Sequence, residues 1–314
     1  MKVGITGATG FIGGAVVPRF AKEGWDLVLL DNRSGPLAVE SPEWPVENLD
    51  FSTEEGVRHL SDCDVVVHLG AVSGVMACAE NPEETRRVNV GGTGRLVEGC
   101  AARHIPLAFA SSMAVVGKPA RLPVTETTPA RPTHEYGRQK AEGERIVSSL
   151  AEKRAASSAV VRMSNVYGVY RRGGRTIAKP NVISLFVAQA AQGELRVNAP
   201  GTQRRNFIHI EDVVAHWVAT VRFLLDQRSP STQVFNCVSD ESYSILELAG
   251  RVARLWKDGH PNTPDLRVQL VPNPRSSVEI LDPEFHATRE RTHQLLGIGC
   301  RRGVEETLRS LLAP

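Results

Sequence analysis

The sequence predicts an α/β fold: a doubly wound parallel sheet with helices on both faces and a smaller α/β region appended to it. Three observations carry the prediction. Short continuous apolar runs alternate with stretches of helical periodicity, as strands buried on both faces require. A glycine-rich turn joins the first run to the first helix. Beyond about residue 165 that alternation stops, and Pro and Gly become frequent, as in "YRRGGRTIAKPN" (170–181).

The apolar runs are "KVGIT" (2–6), "DLVLL" (26–30), "DVVVHL" (64–69), "PLAFAS" (106–111) and "SAVVRM" (158–163). Helical stretches lie between them, over 11–24, 79–103 and 134–154. Strand and helix in strict alternation give right-handed crossovers and a parallel sheet. The stretch 207–235 ("FIHIEDVVAHWVATVRFLLD…") reads as a strand and helix that return to the first domain.

Bulk properties narrow the function. The 314 residues suffice for one large domain or two unequal ones. With 41% hydrophobic and 23% charged residues and a net charge of +2, the chain has no electrostatic case for nucleic acid or a membrane surface. No run of eighteen apolar residues is present, so no membrane span is expected. Five widely spaced cysteines (Cys63, Cys78, Cys100, Cys237, Cys300) include no pair at a metal-ligand interval, and a reducing cytoplasm fits them. The N-terminus enters a strand at once, so no secretory leader is expected. His209 and His216 flank Asp212, but a strand position for His209 keeps the two from facing one ion, and no metal is expected.

"VGITGATGFIGG" (3–14) places Gly7, Gly10 and Gly13 directly after a strand, with Phe11 and Ile12 at the mouth of the helix. Glycines there let backbone N–H groups approach a diphosphate at the positive end of the helix dipole. The second strand ends at Asp31, followed by Asn32. A carboxylate in that place accepts hydrogen bonds from ribose hydroxyls and repels a 2′-phosphate, which favours NAD over NADP. Arg33 is the one feature that softens the preference. Asp50, followed by Phe51, falls where the third strand would end; it either reaches the adenine or is an ordinary loop carboxylate. The expected division is therefore a Rossmann-type NAD-binding domain over 1–165 plus 207–235, and a substrate-binding domain over 166–206 plus 236–314.

The reactive end follows the fourth listed run. "FASSMAVVG" (109–117) brings Ser111 and Ser112 out at the C-terminal edge of a strand, where doubly wound sheets bind ligands. In "HEYGRQKAEGER" (134–145), Tyr136 and Lys140 stand one helical turn apart on one face. Free tyrosine, with a pKa near 10, is a poor base at neutral pH; bringing it near 7 takes roughly 4 kcal/mol of preferential phenolate stabilisation. A lysine ammonium and a positive nicotinamide supply it. Tyr136 then exchanges a proton with a substrate hydroxyl, Ser112 holds that oxygen, and Lys140 also grips the nicotinamide ribose. Arg138, Gln139, Glu142 and Glu144 read as the polar remainder of the helix or a dimer surface.

These residues resemble the extended short-chain dehydrogenase/reductase family, in its NAD-dependent nucleotide-sugar epimerase/dehydratase branch. The resemblance runs from "TGATGFIGG" through "HLGAVSGV" (68–75), "NPEETRRVNVGGTG" (81–94), "SSMAVVG" (111–117) and "YGRQK" (136–140) to "VRMSNVYG" (161–168) and "GTQRRNFIHIEDV" (201–213). It implies that Gly70 and Ala71 line the nicotinamide side and that Asn89 follows the fourth strand near the cofactor. It implies a substrate pocket with Ser73, Ser112, Met113 and Asn165, and a diphosphate gripped by Arg205 and Arg275. It also implies a homodimer joined through helices near 79–103 and 134–154.

Departures from the family pattern bear on the reaction. Met113 and Ala114 stand where relatives that eliminate water carry an acidic pair. Val116 replaces a usual tyrosine, Val169 a usual proline, and Asn206 the usual aspartate beside Arg205. The missing acids favour a nucleotide-sugar epimerase working at C4 by transient oxidation. The readings left open are a dehydrogenase, reductase or dehydratase of the same family, an alcohol dehydrogenase of a non-sugar substrate, and a dinucleotide sensor without turnover.

Overall fold

A computed structural model describes residues 1–32, 43–153, 155–274 and 282–313. Six strands form the main sheet: β1 (Lys2–Thr6), β2 (Asp26–Leu30), β3 (Val65–His68), β4 (Leu107–Ser112), β5 (Ser158–Met163) and an edge strand at Thr232–Cys237. Every neighbouring pair is parallel. The order places β1 between β2 and β3, so the chain leaves β1 to one side and later crosses to the other. That reversal opens a crevice at the C-terminal ends of β1 and β3, the place where such sheets bind ligands.

Two helices cover one face, α1 (Phe11–Lys22) and a long helix at Ile210–Leu225, whose Val16, Val17, Val213, Trp217 and Val221 are buried against Val3, Ile5, Val65 and Val161. The other face is covered from within the run 79–103 and by the helix of Tyr136. The first of these is broken into α3 (Val75–Glu80), α4 (Pro82–Arg86), a π-helical turn (Arg87–Gly92) and α5 (Thr93–Ala102), and the short α2 (Glu54–His59) precedes β3. The second is a single helix, α6 (Glu135–Glu152). Leu96, Val97, Cys100, Val147 and Leu150 seal this side on Val66, Leu107, Phe109 and Val160.

The rest of the chain forms smaller sheets. β6 (Asn165–Tyr167) is followed by a hairpin, β7 (Val169–Arg172) and β8 (Arg175–Ala178), then α7 (Val182–Ala190) and β9 (Glu194–Asn198). β10 (Arg204–His209) leads into α8 (Ile210–Leu225), and β11 is the edge strand Thr232–Cys237. β12 (Ser242–Ser244), α9 (Ile245–Gly259), β13 (Arg267–Val271), α10 (Glu290–Leu296) and α11 (Val304–Leu311) complete the described chain. A separate apolar cluster gathers Ile183, Phe186, Leu195, Leu248, Val252 and Leu308 from α7, β9, α9 and α11.

In the stretch 207–235, β10 pairs with β6 and β12 in a three-stranded sheet, while β11, after α8, takes the free edge of β5. One sequence expectation is corrected. No strand ends at Asp50. The segment before it meets the sheet at a bridge between Leu30 and Glu47, and Asp50 closes a turn by accepting the Ser52 N–H at 2.8 Å. Asn89 accordingly follows the third strand in chain order, not a fourth.

Candidate active site

The cofactor end is built on close backbone approach. Gly7 has φ +72°, and a Cβ on Gly13 would lie 2.2 Å from the Gly7 carbonyl oxygen, so only glycine lets α1 start this close to β1. Gly10 is the N-cap of α1 and offers no side-chain cap, and the first turn holds no acidic residue. The N–H groups of Phe11 and Ile12 therefore have no hydrogen-bond partner among the described residues, and they stand at the positive end of the helix dipole. Asp31, at the end of β2, takes the Thr9 N–H on Oδ2 at 2.9 Å, which seats its carboxylate against the turn; Asn32 follows it at the surface. A donor-rich turn with a carboxylate beside it is the chemistry of a diphosphate and a diol, and the residues present fit NAD.

The residues expected on the nicotinamide side are held by a hydrogen-bond chain. Gly70 N–H donates to Thr6 Oγ1 at 3.1 Å, Thr6 meets His68 Nδ1 at 2.7 Å, and His68 Nε2 meets Thr93 Oγ1 at 3.0 Å, while Thr93 donates to the Asn89 carbonyl at 2.6 Å. Because the Thr93 proton goes to that carbonyl, His68 carries its proton on Nε2 and is neutral. Burial reinforces this by lowering its pKa to about 3. Phe51 packs into the same interior: its ring lies edge-on to His68 and against Gly70, where a Cβ would fall 2.7 Å from it. Asn89 ties the loop after Gly70 down, accepting the Val72 N–H at 2.8 Å and donating to the Val72 carbonyl at 2.9 Å and to Gln139 at 2.8 Å. Ala71 lies half-buried between Gly70 and that clamp.

The reactive end lines a cavity of about 550 Å³. Ser73, Ser112, Met113, Tyr136, Asn165 and Arg205 all face it, so the structure brings together six residues spread over 133 positions of sequence. β4 delivers Ser112, which caps the short 3₁₀ turn Met113–Val115 by accepting the Ala114 N–H at 3.2 Å. α6 delivers Tyr136 and can do so because Gly137 has no Cβ; one there would sit 2.5 Å from the Ala114 carbonyl oxygen. Asn165 donates to the Asn206 carbonyl at 3.0 Å. Arg275 lies outside the described residues.

Charge and burial set the reactivity. Burial pushes the Tyr136 phenol up to about 12, while the neighbouring Ser112 hydroxyl acts the other way. Lys140 is buried behind it, donating to the Ala110 carbonyl at 2.8 Å and lying 4.8 Å from the centroid of the Phe109 ring. Burial lowers its pKa to about 8, and Cys78 and Glu144 hold it from falling further.

Two residues expected on the outer face of α6 are inside. Gln139 is completely buried and bonds Asn89, Thr85 and Glu135. Glu144, 8% exposed, accepts from Ser111 at 2.5 Å and from Arg162 at 2.9 and 2.8 Å. A polar side chain on a helix reads as surface unless its partners are known, and these partners come from β4, β5 and the π-helical turn. Arg138 and Glu142 do lie on the outer face, paired with Glu135 and Arg86. Sequence reasoning also missed His134, Arg204, Asp282 and Glu284 on the cavity wall, and Tyr170 and Arg172 of the β7–β8 hairpin, which bond the carbonyls of Phe11 and Ala8.

A wound parallel sheet with a glycine-rich turn at its switch point, and a Ser, Tyr and Lys gathered at the next strand edge, define a dinucleotide-dependent enzyme of the short-chain dehydrogenase/reductase type. The chain belongs to the NAD dependent epimerase/dehydratase family, whose model matches residues 3–237. Its cofactor is NAD. It is 30% identical over 278 residues to the UDP-glucose 4-epimerase of Streptomyces lividans, covering 82% of this chain and 81% of that one. Among solved structures it is similar to MoeE5 in complex with UDP-glucuronic acid and NAD, at 26% identity and TM-score 0.81, covering 99% of this chain and 98% of that one. It is likewise similar to TunA, an NAD dependent-NDP-hexosamine 5,6-dehydratase, at 27% identity and TM-score 0.79, covering 99% and 96%.

Proposed function

We propose that this enzyme is a UDP-sugar epimerase acting at C4. The observation that carries the reading is the make-up of the turn next to the reactive serine. Met113 and Ala114, both on the cavity wall, give Tyr136 and Ser112 an apolar neighbour where elimination needs an acid.

Gly7, Gly10, Gly13 and the N–H groups of Phe11 and Ile12 hold the diphosphate of NAD, and Asp31 holds its adenosine ribose. Bound NAD supplies reversible oxidation at a carbinol carbon. The protein's own share is the proton. Tyr136 Oη takes it from the C4 hydroxyl and returns it to the alcohol formed on the other face, and Ser112 Oγ holds the same oxygen in line. Burial holds the phenol up at about 12, so positive charge from Lys140 and the bound cofactor has to favour the phenolate for a base active at neutral pH. Burial makes this feasible, because an ammonium acts on a phenolate far more strongly away from water. Arg205 grips the nucleotide diphosphate at the other end of the cavity, which leaves the sugar free to turn. The two-part division into a cofactor domain and a substrate domain, and a homodimer joined through α5 and α6, belong to the same reading; sedimentation equilibrium tests the dimer.

A second reading is supported by Glu284, a carboxylate on the cavity wall that comes from outside the catalytic turn. If it protonates a leaving hydroxyl, the enzyme is a dehydratase. Incubation of the purified protein with UDP-glucose, UDP-glucuronic acid and UDP-N-acetylglucosamine, without added cofactor, separates the two by NMR. A C4 stereoisomer with no net NADH is expected. An unsaturated or deoxy-keto product would replace the epimerase reading with the dehydratase, and a stoichiometric rise in NADH would replace it with a dehydrogenase.

A further inference from the structure

The N-cap of α6 is His134, whose Nδ1 accepts the Gly137 N–H at 3.1 Å. Ser, Thr, Asp and Asn perform this task with a smaller side chain; an imidazole adds a second nitrogen. A ring nitrogen that accepts carries no proton, so the neutral ring of His134 must hold its proton on Nε2. Burial and the nearby Arg138 keep the ring below the ordinary histidine range, hence neutral at pH 7. Nε2 has no hydrogen-bond partner among the described residues, yet it is not sealed from open space. The residue is only 9% exposed, and it lines the cavity beside Tyr136, whose ring it parallels within 8° at 6.3 Å between centroids.

His209 provides the contrast. It caps α8 in the same way, with Nδ1 accepting the Glu211 N–H at 3.2 Å. Its ring, however, packs against Gly168, where an added Cβ would lie 2.5 Å from Nε2, and His209 does not line the cavity. The same cap thus sets one imidazole away from the cavity and the other on its wall beside Tyr136.

We propose that His134 is a substrate-binding residue whose Nε2–H donates to a sugar oxygen next to the one that Tyr136 serves. The helix cap fixes both the ring's orientation and its tautomer, so the pocket offers a donor there and never an acceptor. Sugars with an acceptor oxygen at that position are favoured; deoxy analogues lose a partner and leave a buried donor unpaired. The inference rests on the nucleotide-sugar reading above.

His134→Ser tests it, because serine keeps the cap and removes the second nitrogen. Calorimetric titration of the NAD-loaded protein with UDP-glucose and with UDP is compared between wild type and variant. The variant should bind UDP-glucose about tenfold more weakly, with UDP affinity, NAD affinity and thermal midpoint unchanged. Equal UDP-glucose affinity in the two proteins would overturn the role of His134 alone. An equal loss for UDP and UDP-glucose would overturn it too, leaving only a cap. Wild-type protein that binds neither ligand would overturn the nucleotide-sugar reading itself, and this proposal with it. A measurement without mutation runs in parallel: ¹⁵N spectra of histidine-labelled wild type should place the His134 proton on Nε2 and shift with UDP-glucose but not with UDP. A proton on Nδ1 would refute the assignment.

Discussion

Glu144 and Arg162 meet in the interior through two hydrogen bonds, Nε to Oε1 at 2.9 Å and Nη2 to Oε2 at 2.8 Å. Ser111 donates to the same carboxylate, and the remaining guanidinium nitrogen, Nη1, reaches the Thr128 carbonyl at 2.8 Å. The pair joins α6 to β5 directly behind the edge that carries Ser112, one helical turn beyond Lys140. Its consequence is mechanical as well as electrostatic, because it fixes the helix of Tyr136 on the strand of Ser112.

Breaking one side of this pair strands the other as a buried charge. Glu144→Gln should lower unfolding free energy by about 3–5 kcal/mol, whereas Glu144→Leu combined with Arg162→Met should lose much less than the two single changes summed. Urea denaturation of Glu144→Gln and of the four proteins in the Leu/Met cycle gives the answer. A loss under about 1 kcal/mol for Glu144→Gln would mean that the pair contributes little.

Tyr136→Phe keeps the ring and removes the proton carrier. Turnover should fall about 10³-fold while NAD affinity stays within about twofold of wild type. Activity retained at more than a tenth of wild type would exclude Tyr136 as the base.

Lys140 gives the rate an alkaline limb. Its pKa is lowered, so the ammonium is present below about 8 and lost above it. Since the phenolate needs that charge, kcat/KM should decline as pH rises through about 8. Glu144→Gln removes a carboxylate that favours the ammonium and should move the limb to lower pH. A pH-rate profile flat to pH 9 would contradict this assignment.

Acid should destabilise the fold before the carboxylates titrate. His68 and His216 are both buried, with pKa values lowered to about 3 and about 4, so the unfolded chain binds protons that the folded one refuses. Their contribution to stability is present above pH 6.5 and is lost as pH falls from there towards those values, reaching about 2 kcal/mol each at pH 5. Thermal midpoints at pH 7 and pH 5 should differ, and His216→Leu, which removes a ring nitrogen buried without a partner, should shrink the difference. An identical difference in that variant would acquit His216.

The sequence by itself determined the wound sheet and the cofactor, and it put forward Ser112, Tyr136 and Lys140 as the candidate reactive group. Strands buried on both faces leave continuous apolar runs, and a dinucleotide turn must spend glycines where a Cβ would collide, as at Gly13. Both are local demands that leave local marks. What only the tertiary structure decided was the company each polar residue keeps. Gln139 and Glu144 sit at the same kind of sequence position as Arg138 and Glu142, yet the first two are buried because β4, β5 and the π-helical turn bring them partners from up to fifty positions away. For the same reason β10 pairs with β6 and β12 rather than entering the main sheet, where β11 occupies the edge. His134 shows the division most plainly. Its place before a helix marks it as a cap, and only the tertiary structure sets it on the wall of the cavity beside Tyr136. Hydrogen bonds between distant segments carry no period and no composition, so their pairing is settled when the elements pack.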